Sequence, residues 1–187
     1  TNGPMALVEG YLESGQEYPV ADRLRLARGL PDLPTRFPTH AAFGAATIEQ
    51  ILGPHRERMS VRAVNTLDSG VYLNRGTRFE WVPFPSEAQR SAAGSIVVAD
   101  LDGDGREDVF LGQNFFGMAP GLTREDAGTG LWLRGLGNGR FVAQDSSVSG
   151  IRIWGEQRGA AAADFNQDGR VDLAVAQNDA AIVVLQN

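Results

Sequence analysis

The sequence predicts a mainly β protein built of β-propeller-type blades, about two of them and a fragment of a larger propeller, with a small N-terminal helical segment. Three observations carry this. The loop Asp100-Leu-Asp-Gly-Asp-Gly-Arg-Glu-Asp108 returns 64 residues later as Asp164-Phe-Asn-Gln-Asp-Gly-Arg-Val-Asp172. Each copy is flanked by short apolar runs. A second, glycine-turned hairpin pattern interleaves with the first, and four short strands per unit is the make-up of a propeller blade. Aligning Ala99–Asn114 with Ala163–Asn178 gives eight identities in sixteen.

Taken in chain order, residues 1–67 form the N-terminal segment and 68–187 the blades. Residues 5–12 read as a short strand. Val20–Arg28 and Thr39–Leu52 read as helices. In the second, Phe43, Ile48, Ile51 and Leu52 share an apolar stripe, and Gly53-Pro54 ends it. Pro31, Pro34 and Pro38 punctuate the space between them. This segment is expected to pack on the blades.

From residue 68 the pattern is one of strands and turns. Gly70–Asn74 and Arg78–Val82 read as one hairpin, and Gly130–Arg134 with Arg140–Val142 as another. Ser95–Ala99 enters the first Asp loop and Val109–Gly112 leaves it. Ala160–Ala163 enters the second and Leu173–Ala176 leaves it. Ala181–Asn187 matches the first strand of a third interleaved hairpin.

Each Asp loop is therefore the tip of a β-hairpin. Oxygen side chains at alternate positions, with a glycine for a sharp turn, suit a hard cation that takes many oxygens, and Ca²⁺ fits best. An EF-hand needs flanking helices and a glutamate at its twelfth position. That position holds Leu111 and Val175. Mg²⁺ prefers strict octahedral geometry and retains water. A plain acidic turn, with Asp and Asn serving turn geometry alone, is the alternative.

These loops resemble the FG-GAP, or VCBS-type, repeats of integrin-α-like β-propellers. The match covers about residues 68–187. Gln16–Arg23, Ala46–Glu49 and Asn114–Gly117 further resemble the C-terminal part of bacterial exported VCBS-repeat proteins, many of which carry a UnbV/ASPIC-type domain. The resemblance implies two Ca²⁺ sites. The first would use Asp100, Asp102, Asp104 and Asp108 with the carbonyl of Arg106. The second would use Asp164, Asn166, Asp168 and Asp172 with the carbonyl of Arg170. With one carboxylate more, the first loop is expected to bind more tightly. Crowded carboxylates are expected to leave an empty loop floppy or strained.

Composition narrows the function classes. Net charge is −6, and 17 Lys plus Arg are dispersed, so no nucleic-acid surface is read. No apolar run approaches the roughly 20 residues that span a bilayer. There is no cysteine. Thr1-Asn-Gly-Pro4 does not look like a signal peptide. Sites of millimolar affinity suit calcium-rich fluid outside the cytoplasm, so a secreted, periplasmic or cell-surface bacterial protein is expected. No G-x-S-x-G, Walker loop or H-E-x-x-H occurs. His40 and His55 read as solvated. Glu107, Glu125, Asp126 and Glu156 form a carboxylate pair only if the fold converges them. The long connection 114–130, with Phe115, Phe116 and Thr123–Asp126, reads as a loop packed on a neighbouring blade or as a binding surface. Two function classes result: a scaffold or binding module for a protein or glycan partner, completed by other blades of a longer chain or by another copy, and a carbohydrate-active enzyme or enzyme-associated propeller with its chemistry outside the Asp loops.

Overall fold

In the computed structural model the described residues, 7–118 and 122–187, are mainly β, arranged as several small antiparallel sheets. The chain divides into two compact units, Thr1–Val64 and Asn65–Asn187.

The first unit opens with a hairpin of β1 (Gly10–Glu13) and β2 (Gln16–Pro19). Its two-residue turn places Ser14 and Gly15 at positive φ, the geometry that matches strand twist. Residues 5 and 6 of the expected strand lie outside the described residues, and pairing begins at Gly10. Four short helices follow: α1 (Arg23–Ala27), α2 (Leu33–Arg36), α3 (His40–Gly44) and α4 (Ile48–Leu52). The single helix expected over 39–52 is two, because Thr47 turns extended and opens a capping box with Gln50. The short helix α2, with Pro34 in its first turn where no N–H is needed, forms between the prolines. Leu26, Leu33, Phe43, Ile48, Ile51 and Leu52 make the core. Arg36 donates from Nη1 to the Ile51 carbonyl at 3.0 Å and from Nη2 to that of Gln50, satisfying the open end of α4.

The second unit begins with the hairpin of β3 (Gly70–Asn74) and β4 (Phe79–Pro83). A four-stranded sheet follows, with β5 (Ala93–Ala99), β6 (Asp108–Gln113), β7 (Leu131–Gly137) and β8 (Arg140–Gln144) in sequence order. After the one-turn helix α5 (Ser146–Ser149), β9 (Glu156–Ala163), β10 (Asp172–Asn178) and β11 (Ala180–Leu185) make a three-stranded sheet.

Alternation along β6 sends its side chains to two cores. Phe110 joins Val97, Ile151, Ile153, Leu173 and Val175 between the two larger sheets. Val109 and Leu111 join Leu133, Phe84 and Ala88 on the side of β3 and β4. All six β6 residues are buried. The register exposes the repeat: Val109 pairs with Leu133 on β7, and its counterpart Leu173 pairs with Leu185 on β11. β11 thus stands beside β10 as β7 stands beside β6.

Candidate metal centre

Both Asp loops sit at the tip of the first hairpin of their sheet, between β5 and β6 and between β9 and β10. Their backbone N–H groups bond alike. The N–H of Asp104 donates to Asp100 Oδ1 at 3.0 Å, and that of Asp168 to Asp164 Oδ1 at 3.0 Å. Gly105 N–H donates to Asp100 Oδ2 at 2.8 Å, and Gly169 N–H to Asp164 Oδ2 at 2.8 Å. Arg106 and Arg170 donate their N–H to Asp104 and Asp168, each at 2.9 Å. Gly105 and Gly169 hold φ of 85° and 89°, where a β-carbon is penalised. Gly103 is matched by Gln167, which adopts φ 63° despite its side chain.

The last aspartate of each loop is the anchor. Asp108 and Asp172 open β6 and β10 and are fully buried. Asp108 Oδ2 accepts from Leu101 N–H at 3.2 Å and from the Trp132 indole at 3.0 Å, and Oδ1 accepts from Gly135 N–H at 2.7 Å. Asp172 accepts from Phe165 and Asn187 N–H, each at 3.0 Å. Gly135 cannot carry a side chain, since a β-carbon there would lie 2.1 Å from the Glu107 carbonyl oxygen.

Asp100, Asp102 and Asp108 present one carboxylate oxygen each, all within 4.8 Å of one another, the one such group among the described residues. Cation–oxygen distances of about 2.0–2.6 Å allow two ligands to stand at most about 5 Å apart across an ion, so this all-oxygen triad could hold a hard metal ion. Asp104 is outside the triad. Its Oδ2 accepts from Arg106 Nη1 at 3.1 Å and Arg134 Nη2 at 2.9 Å. In the second loop Asn166 fills the second position, and its amide donates to Asp168 Oδ2 at 2.9 Å. The backbone N–H of Arg170 and then the Asn166 amide hold the Asp168 carboxyl below its ordinary value.

Three residues absent from the motif complete the first site: Trp132, Arg134 and Gly135, all on β7. Arg134 Nε donates to Asp102 Oδ2, and these contacts raise the guanidinium's already high pKa, Asp102 contributing most. The signal for them is the register of β7 against β6. Once Leu133 faces Val109, the next residues of β7 run alongside the loop.

Outside the loops the other titratable candidates do not assemble. His40 and His55 are exposed. Asp126 pairs with Arg124 at 3.8 Å, and Glu125 bridges Phe115 through the backbone. Glu156 is buried and holds structure, accepting from Phe116 N–H at 3.1 Å, Asn178 Nδ2 at 2.7 Å and Arg158. The start of the 114–130 connection is packed rather than open. Asn114, at φ 81° and buried, binds backbone groups of Gly128, Trp154 and Gly155, and Arg158 and Arg124 lie over the rings of Phe115 and Phe116. Beside it, a polar cleft of about 290 Å³ is lined by Glu87, Arg90, Gln113, Gln144 and Asp145 among others.

No protein-family model, curated protein or solved structure matches the chain.

Proposed function

We propose that residues 65–187 are a calcium-stabilised repeat module of the FG-GAP/VCBS type, with the sheets as blades of a β-propeller fragment, serving as a scaffold or binding module for a protein or glycan outside the cytoplasm. The observation that carries this reading is the matching set of backbone hydrogen bonds in two Asp loops, each joining the first two strands of a small antiparallel sheet. An acidic turn used once needs no ion. The same cradle built twice, with three carboxylate oxygens at cation spacing in one copy, is economically explained by one. Asp100, Asp102 and Asp108 would hold the first ion, and Asp164, Asn166 and Asp172 the second. The ion would supply charge neutralisation at the hairpin tips, so binding would add to folding stability.

Thermal unfolding in EDTA and in millimolar CaCl₂ tests this. An ion bound at about 100 times its dissociation constant adds about 2.7 kcal/mol, which for this size corresponds to a rise of several degrees in the midpoint. A midpoint that does not move between the two conditions refutes the calcium reading.

A further inference from the structure

The two loops match in backbone but not in surroundings. Beside the first loop β7 supplies Arg134, whose guanidinium bridges Asp102 and Asp104 across 32 and 30 residues of chain. Its side chain is 40% exposed and the two carboxylates about 20%, so the pair is sheltered from full solvent screening. The equivalent position beside the second loop follows Leu185 as Arg134 follows Leu133, and it is Gln186, which is neutral. The loop arginines Arg106 and Arg170 hold the same place in the motif, but only Arg106 pairs with its aspartate, at 3.1 Å from Asp104, while the Asn166 amide bonds the matching oxygen of Asp168; the variants below therefore leave Arg106 in place and change Arg134 alone. The first loop thus has one more carboxylate at a ligand position than the second and, in Arg134, an arginine against it that the second lacks.

We infer that Arg134 is a built-in competitor for the cation at the first loop, and that it cancels the affinity advantage the extra carboxylate would otherwise confer. The inference rests on the calcium reading. A guanidinium on Asp102 and Asp104 shares the electron density that a divalent ion draws on, and two like charges at such separation repel. With the ion absent, the same contact holds the carboxylates together, so Arg134 stabilises the empty loop and opposes filling it.

The test uses the full chain with its second loop disabled by Asp164→Ala and Asp168→Ala, both exposed positions. Ca²⁺ is titrated calorimetrically into this background, and melting is followed in EDTA and in CaCl₂. Adding Arg134→Gln, which copies the second loop, is expected to tighten Ca²⁺ binding about three- to tenfold, lower the midpoint in EDTA and enlarge the calcium-induced rise. Arg134→Lys keeps a charge without the planar fork and is expected to fall between the two; it carries the comparison if the Gln variant does not fold in EDTA. A merely structural Arg134 would lower both midpoints equally and leave affinity unchanged. That result, or weaker binding in the Gln variant, overturns the inference while the calcium reading stands. If Ca²⁺ binds neither the background nor the variants, and also fails to move the midpoint of the unmodified chain, the calcium reading itself falls.

Discussion

At the scale of single residues, Asp108 and Asp172 explain why the loops hold their shape. Both oxygens of each accept N–H donors, one from the loop and one from Gly135 on β7 or from Asn187 just past β11. A buried carboxylate bonded in this way is far less costly than a bare one. Around both loops, backbone N–H groups bond the crowded carboxylates, and at the first loop Arg106 and Arg134 pair with them. Glu156 shows the same principle away from the loops. The Asn178 amide, then the Phe116 N–H, hold its carboxyl below the ordinary 4.5. A depressed folded-state pKa contributes stability that is fully present above pH 4.5 and is lost as pH falls through the lower folded value. Glu156→Gln is accordingly expected to be less stable than the native chain at pH 7, with the gap closing on acidification. Urea unfolding at pH 7 and at pH 3.5 checks this, and a gap that stays constant refutes it. The ligand-position aspartates were legible in the sequence because they lie within nine residues of one another. Trp132, Arg134 and Gly135 were not, because what brings Trp132 and Gly135 to Asp108, and Arg134 to Asp102 and Asp104, is strand register over separations of 24 to 32 residues.

At the scale of elements, strands were more legible than helices. The hairpins announce themselves through apolar runs ended by glycine and asparagine turns, and β7 and β8 close on Asn138-Gly139, both at positive φ. Even β11, read as the lead strand of an interleaved hairpin, takes the place beside β10 that β7 takes beside β6. The helices are only four or five residues long, so periodicity has little to act on and capping decides their limits. An unbroken helix over 39–52 ignores Thr47, whose hydroxyl accepts from Gln50 N–H while the Gln50 side chain accepts from Thr47 N–H. Thr47→Ala is expected to destabilise the chain by about 1 kcal/mol, read by denaturant unfolding, with Thr47→Ser nearly neutral. Equal losses in the two variants would show that the cap does not define α4.

At the scale of the whole molecule, the second unit is a stack: hairpin, four-stranded sheet, three-stranded sheet, with an apolar core between each neighbouring pair. The doubled loop and the interleaved hairpin pattern made the mainly β fold legible. The partition of β6 between two cores was not legible, because Val109-Phe110-Leu111 is a continuous apolar run in which alternation is silent. This central strand has a consequence in time. Its amides are bonded to β5 on one side and β7 on the other, and both its faces are covered. β10 is also paired on both sides, but beyond the buried Asp172 one of its faces carries the half-buried Ala174 and Ala176, and β1 is exposed along its length. Deuterium uptake should therefore run in that order. β1 should exchange within seconds by local fraying, β10 should follow through partial openings, and the amides of residues 109–112 should wait for unfolding of the entire unit. Peptide-resolved exchange mass spectrometry would read the sequence of events, and 109–112 exchanging before β10 would contradict it. The strand that carries the buried anchor of the first loop should then be the slowest clock among the strands of the second unit.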